Sequence, residues 1–140
     1  MGFRRQAREL AMKMLFQIDV GSLSPRDVLH HFLEEVKAGP EVTEHAKALT
    51  LGVVKEVELL DELLSHKAKN WKLARMAGVD RNVLRIAAYE LLRCPDVPRE
   101  VVINEAIEIV KKYSTEESGA FVNGILDKLQ VPHEPSGEKP

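Results

Sequence analysis

Arg4, Arg5 and Arg8 open a helical pattern that also carries Phe16, and cations beside a flat ring can hold phosphates while a base stacks. In "FRRQARELAMKMLFQIDV", Phe3 to Val20, one apolar stripe follows the i, i+3, i+4, i+7 rhythm of an amphipathic helix. It comprises Phe3, Ala7, Leu10, Ala11, Met14, Leu15 and Ile18. At about 100° per residue Phe16 points almost opposite that stripe, beside Arg5 and Met12 and close to Arg8. Two readings of this ring stand open: a surface that stacks a base, or a ring covered by the other half of the protein. A second such place is "SGAFVNGILDKL", where Phe121 edges an apolar stripe and Asn123 and Gly124 interrupt a helix. A helical glycine costs up to about 1 kcal/mol against alanine. Gly119 and Gly124 therefore serve either close helix packing or a surface task. A helix N-terminus with an edge ring and an amide suits a phosphate and a stacked base.

Other chemistry finds no footing in the chain. The five histidines lack metal-ligand spacing: His30 and His31 are adjacent and point apart on a helix, and His45 and His66 are distant from any paired ligand. The eight glycines are scattered, with no phosphate loop after a strand pattern and no Gly-x-Ser-x-Gly elbow. Glu105 and Glu108 precede Lys111 and Lys112 on a polar helix face. That spacing suits solvated pairs worth roughly 0.2–0.5 kcal/mol each rather than a buried acid–base couple. The expectation is a protein without metal, cofactor or catalytic centre.

The elements that must position these residues read as helices throughout. Ser24 caps a second helix with Pro25 at its first position and Asp27 in its first turn, and Gly39–Pro40 stops it. A third helix is expected from about Thr43, with Ala46, Leu49, Val53, Val57, Leu60 and Leu64 facing inward. The basic stretch "SHKAKNWKLARMAG" joins two halves, with Trp71 as its buried anchor. Asp80 is a plausible N-cap for "RNVLRIAAYELLR", and "CPDVPR" is the clearest linker. The helix "EVVINEAIEIVKKY" is apolar over much of its circumference, with Leu84 and Ile107 as core candidates on these two helices. Ser114 with Glu117 reads as a capping box for the last helix, whose Val122, Ile125, Leu126 and Leu129 face inward. The expected architecture is all-α: one helical domain over 1–130, its halves at about 1–70 and 79–130, followed by a flexible tail at 131–140.

Composition agrees. Charged residues make up 30%, hydrophobic residues 44% and aromatics 5% of the 140 residues, as in a globular helical chain. The net charge of −2 gives no global attraction to nucleic acid, so any such binding comes from local clustering. The lone Cys94 forms no internal disulfide, and no apolar run approaches the roughly 18 residues of a membrane span. The arginine-rich start has the look of a transit peptide, but Glu9 and Asp19 argue against one. A cytoplasmic protein is expected.

The stretches "RRQARELAMKMLFQID", "VDRNVLRIAAYELL" and "VVINEAIEIVKKYSTEESGAFVNGILDKL", in this order, resemble the NusB family of bacterial transcription antitermination factors over residues 3 to 130. The resemblance implies two packed three-helix bundles and a role without catalysis. It implies binding of boxA RNA together with NusE, a small-subunit ribosomal protein, in a complex that carries RNA polymerase past terminators, notably on ribosomal RNA operons. Carried over by motif, the RNA contacts fall on Arg4, Arg5, Arg8, Phe16, Glu117 and Phe121, and the NusE surface runs from Asp80 toward Tyr113.

Three positions depart from the family pattern. Gln6 stands where an arginine is frequent, Phe16 where tyrosine is frequent, and Ala120 where lysine is common. These departures imply weak RNA affinity for the isolated protein and a larger part for NusE. Two other readings stay open: a protein-binding helical scaffold, and an RNA-docking module that works with a separate methyltransferase. The sequence also leaves two assemblies standing: a monomer with a free first-helix face, or a homodimer with Phe16 at its interface.

Overall fold

Ser24 starts its helix as its chemistry dictates, its side chain accepting the Asp27 N–H at 3.0 Å while Pro25 supplies a pre-set φ. The computed structural model describes residues 2–67 and 72–129, so Trp71 and the tail at 131–140 lie outside the described residues. Among the described residues all regular structure is helical. The helices are α1 (Phe3–Asp19), α2 (Pro25–Glu35), α3 (Pro40–Lys55), α4 (Val57–Lys67), a 3-10 turn (Leu73–Arg75), α5 (Gly78–Arg93), α6 (Arg99–Tyr113) and α7 (Glu116–Lys128).

Three local expectations are corrected. Pro40 does not simply stop α2. It occupies the first turn of α3, where its missing N–H is no loss. The expected long third helix is two helices, broken at Glu56 (φ −114°, ψ 22°), whose carboxylate is gripped by Arg93. The cap of α7 is Thr115, which accepts the Ser118 N–H at 3.1 Å, while Ser114 closes α6. Arg99 fastens the far end of α7, donating to the carbonyls of Leu126 at 2.7 Å and Leu129 at 2.9 Å.

The apolar side chains gather in two clusters. Ala7, Leu10 and Met14 of α1 meet Val28 and Leu29 of α2 and Val42 and Ala46 of α3. The larger cluster draws Ala11, Met12 and Leu15 from α1 and joins them to α3, α4, α5, α6 and α7. One helix thus serves two cores. The single stripe expected for α1 is therefore wrong: Met12, on the side of Phe16, is buried against the larger cluster. Polar contacts add to this seam. Asp19 at the end of α1 accepts from Arg81 at 2.7 Å and Asn82 at 3.0 Å, while Arg85 bridges it to Asp61 of α4. Burial opposes charge on Asp19, but the bonds from Arg81 and Asn82 outweigh it and hold the carboxyl below its usual range.

Helix α5 lies at the centre, touching α1, α3, α4, α6 and α7. Its approach to α3 depends on Gly52, where a methyl group would overlap the Tyr89 ring.

Candidate nucleic-acid interface

The three arginines expected to share a face part company. Arg8 is buried, 4% exposed, and forks onto Glu90 of α5 at 2.8 and 2.9 Å. Its planar guanidinium matches the carboxylate in two parallel bonds, so it joins α1 to α5 rather than meeting solvent. Arg5 is partly covered and forks onto Glu105 of α6, with Nη2 at 2.8 Å from Oε2. The bond from Arg5 holds the Glu105 carboxyl below its ordinary range. Glu105 therefore pairs across helices and not, as its spacing suggested, along its own. Among the described residues, Arg4 alone of the three stays exposed without a carboxylate partner, its guanidinium 5.7 Å from the centroid of the Phe3 ring.

Phe3 in turn meets His45 of α3 edge-on, ring centroids 6.0 Å apart. His45 Nε2 is buried with no hydrogen-bond partner among the described residues. Burial pushes the imidazole below its ordinary 6.5, against an opposing pull from Glu90. The folded chain thus binds fewer protons here than the unfolded one. This contribution to stability is whole above the unfolded value of 6.5 and fades as pH falls through it. Melting temperatures at pH 7.5 and 5.5 are expected to differ less in His45→Phe than in the parent protein.

Phe16 is half-buried. One edge of its ring rests on the start of α5, where a Cβ on Gly78 would come 2.8 Å from Phe16 Cε2. The remaining face lines a groove of about 300 Å³ with Met12, Lys13, Gln17, Phe32, Val79 and Tyr113. The rest of the protein thus covers one side of this ring through α5, and the groove leaves the other open.

Phe121 lines a second groove of about 370 Å³ with Arg75, Met76, Ala77, Asp80, Thr115, Glu117 and Ser118. Glu117, Phe121 and Gly124 fall on one outward stripe of α7 at i, i+4, i+7 spacing. Nothing lies within 4 Å of where a Gly124 side chain would begin, so helix packing does not explain this glycine. Gly119 does sit in a tight contact, its Cβ position 3.1 Å from Lys111 Cγ.

Asp80 lines the Phe121 groove and directly follows Val79, which lines the Phe16 groove. It is not an N-cap, because α5 begins at Gly78 and Asp80 lies in its first turn. It is 7% exposed, and its Oδ2 accepts the Ser118 hydroxyl at 2.9 Å, tying α5 to α7. Tyr113 lines the Phe16 groove, and its hydroxyl donates to Glu9 at 2.8 Å. Lys13 and Val79 are groove residues that the sequence reading passed over. Lys13 was legible, since it precedes Phe16 by one helical turn. Cys94 is half-buried, and burial pushes its thiol up to about 11, so it stays protonated at neutral pH. Among the described residues no group of three or more metal-ligating side chains gathers, and no helix is long and apolar enough to cross a membrane.

Two shallow grooves of this all-helical body bring rings and exposed cations together at the surface. The chain belongs to the NusB family, whose profile matches residues 5–131. It is 52% identical to the transcription antitermination protein NusB of Trichlorobacter lovleyi, over 94% of this chain and 92% of that one. It is 45% identical to the transcription antitermination protein NusB of Sorangium cellulosum, over 92% of each chain. These relatives carry a name that denotes regulation rather than catalysis. T. maritima NusB superposes with a TM-score of 0.82 at 43% identity, covering 89% of this chain and 88% of that one. A structure of the antitermination factors NusB and NusE in complex with dsRNA superposes with a TM-score of 0.80 at 30% identity, covering 91% of this chain and 95% of that one.

Proposed function

We propose that this protein is an RNA-binding transcription antitermination factor. In this reading it binds a boxA element together with NusE and joins the antitermination complex on RNA polymerase, notably on ribosomal RNA operons. Family membership supports the role, and the NusB–NusE–dsRNA neighbour supports both partners. The observation that carries the reading for this chain is the pair of grooves, one lined by Phe16 beside Lys13 and the other by Phe121 beside Arg75. A ring and a cation in each groove suit an unstacked strand better than a duplex, because paired bases hide their faces.

The residues divide by what they touch. Arg4, Phe16, Glu117 and Phe121 reach the surface and are the contacts of this reading. Arg5 is available to a phosphate only by leaving Glu105, and Arg8 acts by holding α1 in place. Asp80, nine-tenths buried, bears on NusE through the position of α7. Gln6 and Ala120 are both exposed, and neither supplies a cation. That supports weak RNA binding by the protein alone and tighter binding with NusE.

Fluorescence anisotropy of labelled boxA RNA tests this, with a scrambled strand and a duplex as controls, with and without NusE. Preference for boxA, strengthened by NusE and weakened by salt, is the expected result. Phe16→Ala and Phe121→Ala are each expected to weaken binding by roughly 1–3 kcal/mol. Equal binding of boxA and scrambled strands under all conditions overturns the proposal.

A further inference from the structure

The groove that Phe16 shares with Tyr113 carries charge as well as rings. Lys13 of α1 places its Nζ 5.2 Å from the centroid of the Tyr113 ring. Lys112 of α6 places its own Nζ 5.2 Å from the same centroid. Glu9 accepts the Tyr113 hydroxyl at 2.8 Å, which fixes the ring, and lies 3.3 Å from Lys112 Nζ. Lys112 thus pairs with Glu9, while among the described residues no carboxylate pairs with Lys13, so the groove keeps a positive charge. Both lysines remain open to solvent, with the Lys112 side chain 51% exposed.

We propose that Lys13, Lys112 and Tyr113 form a nucleotide subsite continuous with Phe16. In it a base of single-stranded RNA enters beside the two rings, and the lysines hold the flanking phosphates. The subsite rests on the RNA-binding reading above and assigns Tyr113 to RNA rather than to NusE. A single strand repeats one flat apolar face and one negative linkage per nucleotide. The groove offers the complement, rings beside Met12 and Val79 with Lys13 in its lining and Lys112 of α6 against the same Tyr113 ring. A groove of about 300 Å³ has room for a base. Lysine suits the phosphate role because its ammonium is a mobile point charge that needs no fixed fork geometry.

The test is a salt titration of labelled single-stranded boxA RNA against the protein's complex with NusE. It compares the parent with the double variant Lys13→Ala and Lys112→Ala, with Tyr113→Leu, and with Lys47→Ala on the outward face of α3. NusE affinity without RNA is measured in parallel. The expected result is a plot of log K against log salt that flattens by roughly 0.7 for each lysine removed. Tyr113→Leu weakens binding at every salt without changing the slope, Lys47→Ala follows the parent, and NusE affinity holds throughout. If the double variant keeps the parental slope while the parent binds RNA, the subsite is wrong and the RNA-binding reading survives. If the variants instead lose NusE affinity at an unchanged RNA slope, the groove is a protein interface and the subsite is wrong. A parent that binds no RNA removes both. The lysine arm decides the matter even if Tyr113→Leu fails to fold, since both lysines are surface residues.

Discussion

Arg8→Ala is expected to destabilise the protein by about 3–5 kcal/mol, because it strands the Glu90 carboxylate inside the larger core. Glu90 is 2% exposed and sits on α5 with its two oxygens directed at the Arg8 fork. Removing the cation leaves a buried charge that must either stay uncompensated or take up a proton. Urea unfolding of Arg8→Ala measures the loss. The double variant Arg8→Met with Glu90→Leu distinguishes a stranded charge from lost packing, since replacing both partners by apolar residues of similar size is often neutral or stabilising. Recovery of most of the stability in the double variant is the expected outcome. An Arg8→Ala protein as stable as the parent shows the pair to be solvated and the burial of α1 overestimated. Arg4→Ala, at an exposed site, is expected to stay within about 0.5 kcal/mol. A loss of RNA binding on changing Arg8 therefore reports on folding, whereas the same loss on changing Arg4 reports on contact.

Leu84→Ala is expected to cost about 2–5 kcal/mol. Leu84 is wholly buried near the middle of α5, the helix that touches five others. Deleting its methyl groups loses their transfer energy and opens a cavity that surrounding helices close only in part. Ile107, matched with Leu84 as a core candidate by sequence, is only half-buried on α6 against the larger cluster. Its truncation is expected to cost less, because fewer of its contacts lie in the interior. Thermal unfolding of the two variants side by side checks the order, and an equal loss contradicts the packing described.

Helix identity was legible in the sequence because 3.6-residue periodicity, Ser24–Pro25 and the proline linker at 95–98 are local signals. The cap of α7 was misplaced by one residue, since Ser114 and Thr115 carry the same chemistry and only the backbone chooses between them. The break at Glu56 left no local mark: no glycine or proline stands there, and its partner Arg93 is 37 positions away. The site was legible by residue type and not by orientation. Phe16 and Phe121 both line grooves, but a helical wheel assigns α1 a single wet side. It holds no information that α5 and α6 bring Glu90 and Glu105 against that side. Long-range charge pairing thus decided which arginine stays free, and no window of neighbouring residues contains it.

The double service of α1 has a consequence in time. Arg8 meets Glu90, 82 positions downstream, and Glu9 meets Tyr113, 104 positions downstream. At about 5–20 residues per second of synthesis, roughly 4–16 s separate Arg8 from its partner as the chain leaves the ribosome. Through that interval the newborn first helix has one apolar side to bury against α2 and α3, while its other side waits in water with its charges unmatched. The first part of the chain to be made is therefore among the last to be finished.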